Sequence, residues 1–510
     1  MPYSKDILEL KRHLLRAAES SNSYFDLTKL IVDVRKINDS EIPYSGLGAR
    51  SPNDYFPSIK IIGSTLRSKE NDDFTTYKNI DTKFTLGGRY STNFITSDVP
   101  FFVSGMSYGS LKLPAKIALH LALNRLAKEG IKVIMNTGEG GALPWELYGS
   151  EESWSNVSKK RHENILSYAD RLLKEHHLES TDRDNLFCRL YPLITQYASG
   201  RFWKDPSYLL NADGIEIKIG QGAKIGHGGL LPGPKVTDLV AENRGIPSYK
   251  AAHSPSRHLD ILGPEDLVAK ILELREITDW RTPIIVKVGC SRVYDDIEII
   301  LKSYADAASI DGFVGGTGAA PWELRDIIGI NTIPSLKPAR EAIANYYSTD
   351  NKRDEFRLIV HGSVWDSERI AKCIALGANG VGIGTGFLLS MGCTLVQDCY
   401  TNVCPAGLTG SYEKLDIQTS VNGIVNYVKG TLLELKNIAG SVGRQSIHDL
   451  RREDLIATDE LTSLICELPL VNGRTFKDPI KEMVKTVIDN RKNLKEHQVD
   501  EYWRMKKKVE

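Results

Sequence analysis

Residues 215–235 read IEIKIGQGAKIGHGGLLPGPK. The first six positions alternate isoleucine with Glu216, Lys218 and Gly220, the period of a strand. Gln221 follows, and the stretch holds six glycines. Without a Cβ, backbone turns tightly and comes close to a ligand. A strand, Lys218 and Lys224, and a glycine loop describe the rim of an anion site; a plain surface loop is the alternative.

Outward from this strand the chain repeats one plan. Upstream stand VPFFVSG (99–105), KVIMN (132–136) and PLITQYAS (192–199); downstream stand PIIVKVG (283–289), GFVGG (312–316), RLIVHGS (357–363) and GVGIGT (380–385). Helical patterns at 111–130, 265–277, 335–347 and around Ile370 and Ile374 lie between several of them. Short strands separated by crossovers pair in parallel. Eight of them close a (β/α)8 TIM barrel of about 250 residues or more. An open, doubly wound sheet would carry its phosphate loop after the first strand; here glycine-rich turns follow several strands. The expected fold is α/β. An N-terminal extension (1–95) precedes a barrel (96–390) with a helical insertion near 151–190. A cysteine segment (391–410) and a helical C-terminal extension (411–510) follow.

The 510 residues hold 65 Lys plus Arg and 65 Asp plus Glu, a net charge of zero, which argues against nucleic acid as a partner. The N-terminus lacks a secretory pattern and no run of about 18 apolar residues occurs, so the expected location is cytoplasmic, with no membrane span. Seven cysteines, an odd number, do not suggest a disulfide framework.

In a barrel, function gathers at the carboxyl ends of the strands. Those ends carry Met106 and Ser107, then Glu139, Gln196, Lys218 with Gln221, Lys287, Gly316 with Thr317, His361-Gly362-Ser363, and Gly384-Thr385. The last two groups offer backbone N–H groups and hydroxyls where barrels often bind phosphate; plain turn glycines are the alternative. Lys287, inside the barrel, suits the N1–C2=O end of a flavin, where negative charge develops on reduction, or reaches solvent. Cys393, Cys399 and Cys404, followed by Pro405, are spaced unlike a zinc ribbon. They suit an iron–sulfur cluster or are three unrelated thiols.

Several passages resemble the FMN-binding synthase domain of glutamate synthase. They are SGMSYGSL (104–111), NTGEGG (136–141), ASGRFW (198–203), IKIGQGAKIGHGGLLPGPKV (217–236), SPSRHLDI (254–261), VKVG (286–289), GGTGAAP (315–321), GIGT (382–385) and MGCTLVQDCYTNVCPAG (391–407). The resemblance runs from about residue 80 to 475. It implies an FMN-holding barrel with a [3Fe-4S] cluster on Cys393, Cys399 and Cys404. It implies reduction of the imine of 2-oxoglutarate and ammonia to L-glutamate. Met106, Ser107, Lys287, Gly316, Gly362, Ser363, Gly384 and Thr385 would line FMN, with the strand-end residues Gln196 and Thr317 beside them. Lys218, Lys224 and Arg244 would hold the oxo-acid, and Glu139 would receive the amino group or handle a proton together with Lys218.

The sequence shows no amidotransferase domain, GxGxxG unit or ferredoxin-like cysteine run. Ammonia is then expected free or from a separate glutaminase. Electrons are expected from a ferredoxin or an NAD(P)H-oxidising flavoprotein, arriving through the cluster. Two positions leave the family pattern: His227 and Leu230 stand where Glu and Gln are usual. At the phosphate turn, His361 is either a neutral donor to the flavin or a packing residue. These departures support a second reading, a related FMN enzyme acting on another oxo-acid or amine, such as an N-methylglutamate synthase type. A redox subunit without turnover is a third, and a flavin-free phosphate-binding isomerase barrel a fourth.

Overall fold

The computed structural model describes residues 54–63, 79–149, 159–175, 186–203, 206–317, 319–320, 324, 327–348, 355–395, 399–410 and 415–472. The helical pattern of the first thirty-five residues, most of the polar passage at 38–56, much of the 151–190 insertion and the polar end of the chain lie outside them.

Eight parallel strands close a barrel in chain order. They are β1 (Phe101–Val103), β2 (Met135–Asn136), β3 (Leu193–Ala198), β4 (Gly214–Lys218), β5 (Ile284–Gly289), β6 (Ala307–Asp311), β7 (Arg357–His361) and β8 (Gly380–Ile383). Lys218 of β4 is in register with Lys287 of β5, and Ile383 of β8 with Val103 of β1, which completes the closure. The crossovers include α1 (Leu113–Lys128), α2 (Lys159–Glu175), α3 (Asp238–Arg244), α4 (Pro264–Ile277), α5 (Val293–Leu301), α6 (Thr332–Ser348) and α7 (Ser367–Ala375); α8 (Thr385–Ser390) and α9 (Ile417–Val442) follow β8. The apolar stripe of α9 includes fully buried Ile424, Val428 and Leu435, and the helix packs on α1. Asp416 caps it by accepting from Thr419 N at 3.0 Å, and Gly443, at φ 85°, ends it.

The sixth strand corrects the sequence reading. It is AASID (307–311), and GFVGG (312–316) belongs to the turn after it. Ala and Ser carry little strand signal, so the apolar pair Phe313 and Val314 drew the assignment forward. Inside the barrel the small residues are what fit. The shift also puts Asp311 at a strand end.

Inward-facing positions follow the two-residue period. Near the amino ends they are apolar: Phe102, Ile194, Ile285, Ala307 and Ile359 pack with Phe84, Leu86 and Ile95. The last three come from an antiparallel hairpin, Phe84–Gly87 with Phe94–Ser97, that plugs the barrel. A Cβ on Gly214 would meet Ile95 Cδ1 at 2.7 Å, and one on Gly380 would meet Phe84 Cε2 at 2.9 Å, so these glycines make room for the plug. Each fully buried plug side chain contributes about 1.5–3 kcal/mol. Two residues further along the strands the inward set becomes Ser104, Gln196, Lys287, Ser309 and His361. The apolar floor thus gives way to a polar upper layer.

A second compact unit comprises Asp54–Ile62 and, among the described residues, 452–472. In it Ile59–Ile61 pairs antiparallel with Leu455–Ala457. No helix among the described residues is long and apolar enough to cross a membrane.

Candidate active site

The polar layer opens into a cavity at the carboxyl ends of the strands, with ≈ 1200 Å³ of empty space including its open mouth. Met106, Ser107, Glu139, Gln196, Lys218, Lys224, Gly316, Thr317, Gly362, Ser363, Gly384, Thr385 and Cys399 all line it. Lys287 and Arg244 stand one layer back, and Cys393 and Cys404 are not among the lining residues.

On one side a carboxylate meets two lysines. Lys218 Nζ donates to Glu139 Oε2 at 3.1 Å, with both side chains largely buried. Burial raises the Glu139 pKa, but Lys218, Arg244 and Lys224 outweigh it and hold the carboxyl below its usual range. Gly229 is required here, because a Cβ would come within 2.0 Å of Glu139 Oε1. Lys224 is 2% exposed and donates to Ala319 O at 2.6 Å. Burial, and then the Lys218 charge, lower its pKa to about 8. An anion that needs this ammonium should bind with steady affinity below pH 8. It should weaken by up to about tenfold per pH unit above that, as the proton leaves. Titration calorimetry with a dicarboxylate from pH 6.5 to 10 checks this, and a flat profile to pH 9.5 would remove Lys224 from the site. The stability sign is opposite. The folded pKa lies below the unfolded one, so charged Lys224 costs stability below pH 8, and the cost is relieved as pH rises toward 10.5.

Arg244 is 3% exposed and donates to Ser107 Oγ at 3.1 Å and Tyr108 O at 2.9 Å. It therefore shapes the wall behind Ser107 and adds positive potential. Lys116 does similar work beneath the first two strand ends. Its Nζ pairs with fully buried Glu146 at 2.6 Å and donates to Thr137 Oγ1 at 3.2 Å and Met106 O at 3.4 Å.

The opposite side holds Lys287 and Asp311, ion-paired at 3.2 Å. Burial opposes charge on both, yet each stabilises the other. The Lys287 pKa rises and the Asp311 pKa falls. Sequence reading marked Lys287 as a lone cation; its partner was hidden by the misplaced sixth strand. His361 Nδ1 meets Ser104 Oγ at 3.1 Å and Nε2 meets Ser309 Oγ at 2.8 Å, one nitrogen donating and the other accepting. Burial, and then Lys287, lower its pKa to about 3, so the ring is neutral. A Cβ on Gly382 would lie 1.9 Å from the His361 ring, so His361 and Gly382 are a matched pair. Glu216, also unmarked in the sequence, is 1% exposed and accepts from Gln196 Nε2 at 2.6 Å and Asn136 Nδ2 at 3.1 Å. Its place on the inward face of β4, two residues before Lys218, was the available signal.

At the last two strand ends the backbone turns through Gly362 (φ +101°) and Ser363 (φ 54°). A Cβ on Gly384 would meet nothing within 4 Å, so the chain there faces open space. Gln221 Nε2 reaches Thr317 Oγ1 at 3.3 Å.

At the cysteine segment, burial followed by mutual repulsion pushes the Cys393 and Cys399 thiols up. Lys235, 2% exposed, donates to Cys399 O and Ser110 O, both at 3.0 Å. No group of three or more His, Cys, Asp or Glu among the described residues is arranged to hold a metal ion.

The fold and site define a (β/α)8 barrel whose carboxyl-end cavity pairs a lysine–carboxylate cluster with glycine turns. A model of the conserved region in glutamate synthase matches residues 75–445. The chain belongs to the glutamate synthase family. It is 36% identical over 359 residues to the archaeal glutamate synthase (NADPH) of Methanocaldococcus jannaschii, covering 69% of this chain and 61% of that one. It is 30% identical over 445 residues to the glutamate synthase large subunit-like protein of Rhizobium meliloti, covering 83% and 89%. The ferredoxin-dependent glutamate synthase of Cyanidium caldarium is 30% identical over 362 residues, 70% of this chain and 22% of that one. The chain thus spans under two thirds of the archaeal relative's length and most of the Rhizobium protein's.

Proposed function

We propose that this protein is a glutamate synthase-type flavoenzyme that reduces the imine of 2-oxoglutarate and ammonia to L-glutamate. The observation that carries the reading is the convergence of Lys218, Glu139 and Lys224 on a cavity whose far rim is the Gly362–Ser363 and Gly384–Thr385 turns. The two ammoniums suit a dicarboxylate, and the turns suit a phosphate. FMN fits these residues. Open space at Gly384 and exposed backbone at Gly362 and Ser363 would take its phosphate. Met106, Ser107, Gln196, Gly316 and Thr317 would border it, and Lys287, one layer back, would add positive charge for its reduced form. FMN held there would supply the hydride-transfer chemistry of the reduction. Glu139 is a carboxylate held ionised against burial, placed to accept a proton from ammonium. Lys218 and Lys224 orient the oxo-acid, and Arg244 sustains the potential behind them. The pair Lys287–Asp311 keeps a buried positive charge in place under the polar layer.

The electron source is a separate ferredoxin or an NAD(P)H-oxidising flavoprotein, and Cys393, Cys399 and Cys404 would be the residues to hold a [3Fe-4S] cluster, whose chemistry would be one-electron transfer. Buried Lys235 supports it, because a cation beside the segment offsets thiolate charge. Ammonia would come free or from a separate glutaminase. The related names, one specifying NADPH and one ferredoxin, support both classes of donor.

Anaerobic reoxidation of the chemically reduced protein is the test. 2-Oxoglutarate with ammonia should restore the oxidised flavin spectrum, and iron analysis should return about three atoms per chain. A colourless protein sinks the reading. A second reading has its own observation: Leu230 lines the cavity where the family usually places glutamine. Leucine favours a substrate with an apolar group, such as methylamine. Recovery with that amine and not with ammonia would select it.

A further inference from the structure

Two passages shared with the family, ASGRFW (198–203) and SPSRHLDI (254–261), contribute little to the cavity lining, yet they meet each other beside β4. Arg201 lies flat over the Tyr197 ring at 3.9 Å, pairs with Asp260, and donates from NH1 to His258 Nδ1 at 3.1 Å. His258, 3% exposed, uses Nε2 on the carbonyl of Lys218 at 2.8 Å. Asp260 is held in turn by Tyr197 Oη at 2.6 Å and Lys270 Nζ at 2.9 Å. Arg201 adopts φ 50°, a left-handed backbone rare for a non-glycine residue.

The chemistry of this chain of contacts runs in one direction. A guanidinium has donors only, so His258 Nδ1 must accept. The imidazole proton then resides on Nε2 and is donated to the Lys218 carbonyl. Lys218 is the last paired residue of β4, where the ladder ends. The His258 bond holds the carbonyl side of the peptide after Lys218, whose N–H side is held by the Lys287 carbonyl at 2.9 Å.

We propose that Arg201 is a positioning residue that, through His258, fixes the Lys218 peptide and so aims the Lys218 ammonium at Glu139 and at the substrate carboxylate. This rests on the proposed oxo-acid site. The groups facing His258 are Arg201, Asp260 at 4.0 Å, Lys270 and the stacked Tyr197 ring. Burial lowers the His258 pKa, the Lys218 carbonyl raises it and Arg201 lowers it again, with a net fall. The ring is thus neutral at pH 7, as the relay requires.

The test uses the full chain and two readouts. Nitrogen-15 NMR of labelled histidines, with His258 assigned by its loss in His258→Gln, should show a neutral ring protonated at Nε2. In Arg201→Met, which keeps the stem and removes the donors, Nε2 should stay protonated toward the Lys218 carbonyl, and the Nδ1 resonance should shift as it loses the hydrogen bond it accepts. The 2-oxoglutarate dissociation constant should rise about tenfold or more, since ångström-scale misplacement costs up to about a hundredfold. Flavin content should not change. His258→Gln can still accept from Arg201 and donate to Lys218, and should bind 2-oxoglutarate like the unaltered protein. His258→Leu should match Arg201→Met, and the double variant should be no worse than either, the signature of one unit. Additive losses, or an unchanged dissociation constant in Arg201→Met with a normal melting curve, would overturn the proposal. Failure of the unaltered protein to bind 2-oxoglutarate would instead overturn the proposed function. In that case the NMR pattern alone judges the relay.

Discussion

Lys218→Ala is expected to abolish 2-oxoglutarate binding while leaving the flavin in place. Lys218 is the charged group closest to Glu139, and it lines the cavity itself. Truncating one partner of a desolvated charge pair costs about 2–5 kcal/mol of affinity, a rise in dissociation constant of roughly 30- to 5000-fold. Part of that loss comes from Glu139. Deprived of its nearest cation in a buried setting, its carboxyl pKa should rise, because burial is the largest influence on it. The Lys218 ammonium pairs with Glu139 and not with the residues expected to border FMN, so flavin absorbance per chain should be unchanged. Calorimetry with 2-oxoglutarate decides the matter. Binding within threefold of the unaltered protein would show that this lysine is not the carboxylate anchor.

Asp306→Ala should be the most damaging change away from the cavity. Asp306 is fully buried and saturated. Its Oδ1 accepts from Tyr90 N at 3.0 Å, Ser91 N at 3.1 Å and Ser91 Oγ at 3.3 Å. Its Oδ2 accepts from Arg275 at 2.6 Å and Ile284 N at 2.7 Å. One carboxylate thus joins the plug hairpin, α4 and the start of β5. Alanine would leave the buried Arg275 charge without its carboxylate, a loss of about 3–5 kcal/mol. The melting temperature should fall by roughly 3–5 °C in a chain of this length. Asp306→Asn keeps the shape but not the charge and should lie between. A melting temperature within 2 °C of the unaltered protein for Asp306→Ala would show that the plug is held by its apolar contacts alone.

The barrel was legible because its strands announce themselves one at a time. Apolar runs such as PIIVKVG and PLITQYAS carry strong strand propensity, and each ends in the polar or glycine residues that a strand end exposes. The exception, AASID, shows the limit of that signal. Its side chains are small because of what lies opposite them in the barrel, which no local pattern encodes. The lining residues were legible for a related reason: a strand end is a position in sequence as well as in space.

The partnerships were not legible. Lys287 and Asp311 meet only because adjacent parallel strands place Gly289 opposite Asp311. Glu139 and Lys218 are 79 residues apart. The two serine partners of His361, Ser104 and Ser309, became visible only when barrel closure brought them to either side of it. By itself the sequence determined the number of strands, the strand ends that line the cavity, the three closely spaced cysteines and the positions, His227 and Leu230, where the chain leaves its family pattern. Only the tertiary structure decided which charges are paired, which are held back from the cavity and which are aimed into it. Strand propensity is local, whereas an ion pair forms between side chains that barrel closure brings within about 4 Å, and its strength depends on the water that closure removes.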